Sequence, residues 1–88
     1  MIGIEEAIDL AENYIGYKMD NCEDVEIIGS EVEENTERGC MVLVTADLWW
    51  RREEGEEEGE PDRATFQVPI YLDDGKLRVN ILNFDRVD

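Results

Sequence analysis

The sequence predicts an α+β domain in which an N-terminal amphipathic helix packs on a four-stranded antiparallel sheet, arranged as a meander. Apolar residues recur at helical spacing near the N-terminus, later segments alternate apolar and polar residues, and Asp74-Gly75 has the composition of a tight hairpin turn. A chain of 88 residues has room for one domain. We therefore expect residues 1–88 to fold as one unit, with an exposed acidic loop at 53–62.

The helix is predicted over residues 3–19. Glu5 and Glu6 lie in its first turn and Lys18 near its end, where the helix dipole favours these charges. The apolar side chains recur every three or four residues, so that one face can pack on the sheet. They are Ile4, Ala7, Ile8, Ala11, Tyr14, Ile15 and Met19.

After a polar connection at 20–24, the hydrophobic period changes to two, which predicts a first strand at 25–34. Gly29 lies in its middle, where a bulge would switch which side chains face inward. Residues 35–39 are typical of a turn, and residues 40–52 form the second predicted strand. Its apolar face consists of Val42, Val44, Ala46, Leu48 and Trp50.

The third strand is predicted from the alternation of Ala64, Phe66, Val68, Ile70 and Leu72. Asp74-Gly75 favours a type I′ turn to the fourth strand, because that turn needs positive φ at both central residues. Such a turn pairs Asp73 with Lys76. It then places Leu72 opposite Leu77, Ile70 opposite Val79 and Val68 opposite Ile81.

Pro69 faces outward on the third strand, where its missing N–H indicates an edge, a bulge or a strand order other than a simple meander. Trp49 is expected on the same outer face of the sheet, which is unusually apolar for a surface. Its other members are Met41, Leu43, Tyr71, Leu82 and Phe84. This face is either an interface with a partner or second copy, or it is covered by sheet twist or a C-terminal turn.

The composition limits the possible partners. The chain has 24 Asp plus Glu against 8 Lys plus Arg and a net charge of −16, so nucleic-acid phosphates and anionic lipids would be repelled.

No apolar run is long enough to span a membrane and no signal peptide is present, so we expect a cytoplasmic protein. The excess of Glu over Asp, together with frequent isoleucine, favours adaptation to heat over adaptation to salt.

The acidic segments predict a metal site. The run at 53–62 holds seven carboxylates in ten residues. A meander would place this run at the same end of the sheet as the connection 20–24 and the C-terminal tail. Calcium takes 6–8 oxygen ligands in flexible geometry, although no segment fits an EF-hand. The candidate ligands are Asp20, Glu23, Asp24, Glu53, Glu54, Glu56, Glu57, Glu58, Glu60 and Asp62. The alternatives are a solvated acidic surface and a surface that binds a basic protein.

No residue pattern predicts catalysis. The chain has no histidine, which excludes thiolate–imidazole chemistry and His-containing zinc sites. Cys22 and Cys40 are expected at opposite ends of the first hairpin, as free thiols. Asp47 is the carboxylate with a half-buried environment, and Ser30 lacks a base to activate it. We therefore expect that the protein is not an enzyme.

The order of the elements, the aromatic strand Leu48-Trp49-Trp50-Arg51-Arg52 and the acidic segment after it resemble the small acidic proteins of unassigned function from methanogenic archaea. This resemblance implies a single α+β domain with an antiparallel sheet. It also implies association with calcium through acidic surface segments, here the loop at 53–62.

Together these observations predict a small non-enzymatic acidic protein that binds calcium, or other divalent cations, weakly through acidic loops. The alternative is an interaction module that presents its acidic surface to a basic protein. We expect a monomer or a weak dimer.

Overall fold

A computed structural model describes residues 2–56 and 59–88, in which helix α1 (Ile4–Lys18) packs on a curled antiparallel sheet. Within these residues the strands are β1 (Cys22–Glu33), β2 (Gly39–Trp50), β3 (Asp62–Asp73), β4 (Lys76–Val79) and β5 (Asp85–Arg86). The order across the sheet is β1-β2-β3-β4, and β5 pairs with β3. The predicted helix on a four-stranded meander is confirmed, and the short fifth strand was not predicted.

The core lies between α1 and one face of the sheet. The two central strands contribute alternate residues to it: Val42, Val44, Ala46 and Leu48 from β2, and Ala64, Phe66, Val68 and Ile70 from β3. The helix contributes Ala7, Ala11 and Ile15, all fully buried. Each fully buried Val, Leu or Ile side chain contributes about 1.5–3 kcal/mol. The predicted alternation therefore describes the core from Val42 to Leu48 and from Ala64 to Ile70, but Trp50 and Leu72, which it also assigned to this face, are 39% and 46% exposed.

Gly29 lies at the predicted bulge in β1. Ile27 pairs with Ala46, but Gly29 already pairs with Thr45, so β1 has one extra residue at this point. Without the bulge, the carboxylates of Glu31 and Glu33 would face the helix. The extra residue turns both outward, and the side chains that face α1 are instead Val25 and Ile27 before the bulge and Ser30 and Val32 after it.

The turn between β3 and β4 has the predicted geometry. Asp74 and Gly75 have φ values of 50° and 77°. The register is also as predicted, with Asp73 opposite Lys76, Leu72 opposite Leu77 and Ile70 opposite Val79. The predicted pair of Val68 with Ile81 is wrong, because β4 ends at Val79.

Pro69 explains why β4 ends where it does. Opposite residues of a hydrogen-bonded antiparallel pair exchange two N–H to O=C bonds, and proline has no N–H. Asn80 donates its N–H to the Pro69 carbonyl at 2.8 Å, but Pro69 has no N–H to donate to the Asn80 carbonyl, which instead accepts the N–H of Asn83 at 3.2 Å. The chain then leaves the ladder, so Ile81 is 66% exposed, and pairing resumes only where Asp85 lies opposite Gln67.

The interruption also changes the position of Phe84, which was predicted on the outer face of the sheet. That prediction is wrong. The ring of Phe84 lies on the helix side and stacks on Tyr14 and Phe66, with centroid distances of 5.0 and 5.6 Å. The residues skipped between β4 and β5 break the alternation that the prediction extended from β4.

The remaining apolar residues of the predicted outer face do not form one uniform patch. Met41, Leu43 and Trp49 are half-buried along β2. Tyr71 is 41% exposed. The prediction for Leu82 is wrong, because this residue lies in the turn after β4, is 89% exposed and lines a groove with Tyr14 and Tyr17 of the helix. The curl of the sheet thus partly covers the centre of this face and leaves its margin open.

The connection between β1 and β2 fastens the N-terminus. The side-chain oxygen of Asn35 accepts the Ile2 N–H at 3.1 Å, and its amide donates to the Ile2 carbonyl at 3.0 Å. At the start of β2, a Cβ on Gly39 would lie 2.6 Å from the Ile70 carbonyl oxygen, so only glycine fits this close approach. The two Asn35 hydrogen bonds hold the residues before α1 beside the β1–β2 connection, and the Gly39 contact lets β2 and β3 approach closely.

Cys22 and Cys40 are buried free thiols, as predicted. Cys22 pairs with Trp50 at one end of the hairpin, whereas Cys40 opens β2 at the other end. Ten residues of strand correspond to about 33 Å, far beyond disulfide reach.

Of the described helical residues, none belong to a segment long and apolar enough to cross a membrane.

We expect Phe84→Ala to lower the free energy of unfolding by about 2 kcal/mol, because both stacking contacts and part of the apolar burial are lost. Val87→Ala is the control, since Val87 lies in the same tail and is 50% exposed. It should cost about 0.5 kcal/mol or less. Urea unfolding of both variants provides the measurement, and equal effects would contradict the assignment of Phe84 to the core.

Candidate functional site

The predicted acidic segments lie at the same end of the sheet. Because Cys22 pairs with Trp50, the turn between α1 and β1 lies beside the loop between β2 and β3. We call residues 20–24 and 51–62 the acidic end. Its exposed carboxylates are Asp20, Glu23 and Asp24 on one side, and Glu53, Glu54, Glu56 and Glu60 on the other. The meander therefore brings together the two main groups of candidate ligands.

Asp62, another candidate ligand, is held by an ion pair. Arg86 donates to its two carboxylate oxygens at 2.9 and 3.0 Å, and the Trp50 indole donates at 3.3 Å. The hydrogen bonds from Arg86 and then from Trp50 lower the pKa of Asp62. The sequence did not reveal this cluster, because β5 and its register were not predicted. A cation at Asp62 would compete with the guanidinium.

Two arginines lie among the carboxylates. Arg51 and Arg52 line a surface depression together with Glu23 and Glu56. A Cβ on Gly59 would lie 2.7 Å from a terminal nitrogen of Arg52, so the loop passes closely over this guanidinium. The acidic end therefore contains cations of its own, which offset part of the repulsion between its carboxylates.

The described carboxylates do not form a preformed cage. In residues 2–56 and 59–88, no three or more Cys, Asp or Glu side chains are grouped so that they could hold a metal ion. Asp24 accepts the N–H of Val25 at 2.9 Å. The candidates Glu57 and Glu58 lie outside the described residues. The structure thus places Glu23 and Glu56 at one depression but does not converge the other described candidates on one point.

The thiols are not suited to bind a soft metal. Burial raises the pKa of Cys22, and the negative charges of Asp62 and Asp20 raise it further. Burial also raises the pKa of Cys40. Because the thiolate is the metal ligand and the nucleophile, both groups are held in their unreactive form at neutral pH.

Asp47 is buried, with 8% of its surface exposed, but its environment is the opposite of what a general acid needs. Arg63, which lies opposite on β3, donates to its two carboxylate oxygens at 2.8 and 3.2 Å. These bonds hold the pKa of the Asp47 carboxyl below its usual range. A general acid at neutral pH needs a raised pKa, so Asp47 serves as the anion of an ion pair on the outer face.

Ser30 also has a structural partner. Its hydroxyl donates to the Glu12 carboxylate on α1 at 2.8 Å, and the Gly29 bulge is what turns it towards the helix. This hydrogen bond joins β1 to α1 across the polar margin of the core.

The comparisons with known proteins assign no function to this chain. No family model matches the chain, and no curated protein or solved structure matches it at a significant level. The resemblance to small acidic proteins of methanogenic archaea stays a prediction, based on the order of the elements, the aromatic strand and the acidic segment after it.

We expect Asp47→Asn to destabilise the fold in a pH-dependent way. Because the folded-state pKa of Asp47 lies below the unfolded value of about 3.9, its ionised form contributes stability above that pH. That contribution is lost as the pH falls through the folded-state pKa. The variant should therefore unfold at a lower temperature than the native protein at pH 7, and the difference should shrink below about pH 4.

Asp73→Asn is the matched control for this comparison. Asp73 pairs with Arg78 at 3.0 Å, but the two side chains are 55% and 54% exposed. An exposed pair contributes little, so this variant should unfold near the native temperature throughout. Thermal unfolding from pH 7 to pH 2 tests both variants. A difference for Asp47→Asn that stays constant over this range would show that the ion pair is not its cause.

Proposed function

We propose that this protein is a non-enzymatic cytoplasmic protein that binds divalent cations, calcium in particular, weakly at its acidic end. The observation that supports the proposal is the position of Glu23 and Glu56. They come from the two segments expected to share a site, more than thirty residues apart in sequence, and they line the same depression. A cation there would be held by oxygens from both sides of the acidic end.

The donor set favours calcium over other metals. Carboxylate oxygens are hard ligands, and the acidic end supplies no imidazole. The raised pKa of Cys22 keeps its thiol protonated, which disfavours zinc. Calcium accepts 6–8 oxygens in irregular geometry, whereas magnesium requires a near-octahedral arrangement. Exposed glutamates completed by water therefore suit calcium better.

The same contacts limit the affinity. The ion would be repelled by Arg51 and Arg52, which line the same depression, and at Asp62 it would compete with Arg86. It would also gather carboxylates that repel one another before it arrives. We therefore place the dissociation constant at about 10⁻⁴ to 10⁻³ M, the range of low-affinity oxygen sites.

A second candidate function is the capture of a basic protein surface. The observation that favours it is the absence of a grouped metal-ligand set among the described carboxylates. β1 also carries exposed Glu26 beside the acidic end, and exposed Glu31 and Glu33 at its other end. Charge spread in this way attracts a basic surface over a wide area, with a strong dependence on salt.

The double variant Glu23→Gln/Glu56→Gln tests the metal proposal. It should weaken calcium binding severalfold, because two oxygen ligands lose their charge while side-chain length is kept. Glu31→Gln/Glu33→Gln removes the same charge from β1 and should leave calcium binding nearly unchanged. Amide chemical shifts during a calcium titration in physiological salt provide the dissociation constants, and the perturbed amides should cluster at 20–24 and 53–62.

Two other results would contradict the proposed metal site. Equal weakening in both double variants, with shifts spread over all surface carboxylates, would replace the site by a diffuse ion atmosphere. Polylysine is a suitable probe of the second function. Polylysine binding that decreases equally in both variants, while calcium binding stays intact in both, would favour the interaction module.

A further inference from the structure

The outer edge of β1 is open for backbone pairing. β1 has 12 residues and lies at one edge of the sheet, where β2 is its sole partner among the described strands. No backbone hydrogen bond from elsewhere in the described chain reaches the outer side of Val25–Val32. An edge strand of this kind is a template for another extended segment, because its outward N–H and C=O groups have no partner in the sheet.

The hydrogen bonds of β3 show which residues of β1 face this open edge. The carbonyls of Thr65 and Pro69 accept N–H groups from the far side of β3, both at 2.8 Å. Because the direction of the backbone groups alternates along a strand, the even-numbered residues of β3 and β2 face each other, and the odd-numbered residues of β2 face β1. The partners of those odd-numbered residues face inward, so the other paired residues of β1 face outward. Between positions 25 and 32 these are Val25, Ile27, Ser30 and Val32.

A side-chain contact supports this assignment independently. The N–H of Val25 donates to the Asp24 carboxylate at 2.9 Å, in an exposed bond that a ladder position would not permit. Within residues 2–56 and 59–88, the N–H groups of Ile27, Ser30 and Val32 have no such acceptor on the outer side. These three residues therefore offer a short row of backbone donors and acceptors along the edge.

The side chains along this edge specify the charge of a segment that could pair with it. Glu26, Glu31 and Glu33 alternate with the edge-facing residues and are exposed on the outer face. An added strand would place its own outer-face side chains beside these carboxylates, where Lys or Arg is attracted and Asp or Glu is repelled. Its remaining side chains would lie beside Ile27 and Val32, which are half-buried and apolar. The edge thus matches a segment in which basic and apolar residues alternate.

We propose that β1 binds an extended basic segment of another protein as an additional antiparallel strand. The apolar residues of the segment exchange N–H to O=C bonds with Ile27, Ser30 and Val32, and its basic residues lie beside the outer-face carboxylates. Backbone bonds supply affinity in this mode of recognition, whereas alternate side chains supply specificity. The inference rests on the second candidate function, for which it specifies the site and the partner, and it does not depend on calcium.

The carboxylates also decide against other occupants. Charged side chains on an edge strand hinder indiscriminate pairing between sheets. An antiparallel pair of two β1 strands would bring the glutamates of both copies together on one face, and each copy has a net charge of −16. For a basic strand the same charges are attractive. The edge therefore excludes a second β1 and admits a segment of opposite charge.

A short peptide of alternating lysine and valine tests the proposal with the full chain in calcium-free buffer. The peptide should bind at a defined stoichiometry and shift the amide resonances of residues 25–33 more than those of the acidic end. Its dissociation constant should rise with added sodium chloride, because screening weakens the attraction between lysines and carboxylates. Failure of the peptide to bind would overturn the proposal, as would shifts that lie mainly outside β1. Polylysine binding and calcium binding could persist in either case, so the functions proposed above would not fall with it.

Two N-methylated forms of this peptide separate strand pairing from charge. Hydrogen-bonded partners in a ladder have their side chains on the same face, so the valines of the bound strand should donate to β1 while the lysine N–H groups face solvent. N-methylation of the valines should raise the dissociation constant at least about tenfold through the loss of several backbone hydrogen bonds. N-methylation of the lysines should leave it nearly unchanged. Equal effects of the two modifications would show that the peptide does not bind as a strand.

The double variant Glu31→Gln/Glu33→Gln tests the role of the carboxylates. It should weaken binding of the unmodified peptide severalfold, because two charges beside the edge are lost while the backbone is unchanged. Glu53→Gln/Glu54→Gln is the matched control, since it removes the same charge from exposed residues at the other end of the sheet. It should keep the native dissociation constant, while circular dichroism verifies that both variants are folded. Equal weakening in both variants would contradict a site at β1, and a native chain that self-associates through β1 and excludes the peptide would assign the edge to a second copy.

Discussion

The antiparallel ladder between β2 and β3 is the constraint on which the rest of the structure depends. Ten consecutive pairs, from Gly39 opposite Tyr71 to Leu48 opposite Asp62, hold the two strands in one register without a bulge. With a side-chain period of two, that register places the apolar residues of both strands on one face, where α1 covers them. It also decides which end of the sheet receives the acidic loop, and it aligns Asp47 with Arg63 on the other face.

A chain with 24 carboxylates must keep them out of this core or neutralise them. A bulge in β1 does the first, and two arginine ion pairs do the second. The bulge at Gly29 reverses the alternation in β1, so that Glu31 and Glu33 face solvent. The buried Asp47 and the half-exposed Asp62 are each neutralised by an arginine that reaches both carboxylate oxygens. Bidentate arginine pairs satisfy a carboxylate geometrically as well as electrostatically. The other carboxylates of the acidic end are exposed. Burial raises the pKa of Cys22 beside them, and the negative charges of Asp62 and Asp20 raise it further.

The acidic end and the exposed turn after β4 arise from different features of the chain. The acidic end depends on the connections at one end of the sheet, where exposed carboxylates from two segments lie side by side. The exposed turn depends on Pro69, because one missing N–H ends β4 and turns Ile81 and Leu82 outward.

The sequence by itself determined the elements whose signals are local. The helical period of α1, the alternation in β2 and β3, the positive φ required at Asp74 and Gly75, and the place of the bulge at Gly29 all follow from neighbouring residues. The shared location of the acidic segments also followed, because a meander alternates its turns between two ends. The separation of Cys22 from Cys40 followed for the same reason.

Only the tertiary structure decided where β4 ends, which face Phe84 occupies, and which groups Asp47 and Asp62 bind. Pro69 was recognised as unusual, but its effect depends on which neighbouring strand faces its missing N–H. Phe84 was misplaced because its alternation was extended through a break that local patterning does not mark. Glu23 and Glu56 line one depression, and Asp62 forms an ion pair with Arg86. The two residues of each pair are more than twenty positions apart in the sequence. Such pairings depend on strand register and on where a ladder is interrupted, and these are properties of the assembled sheet.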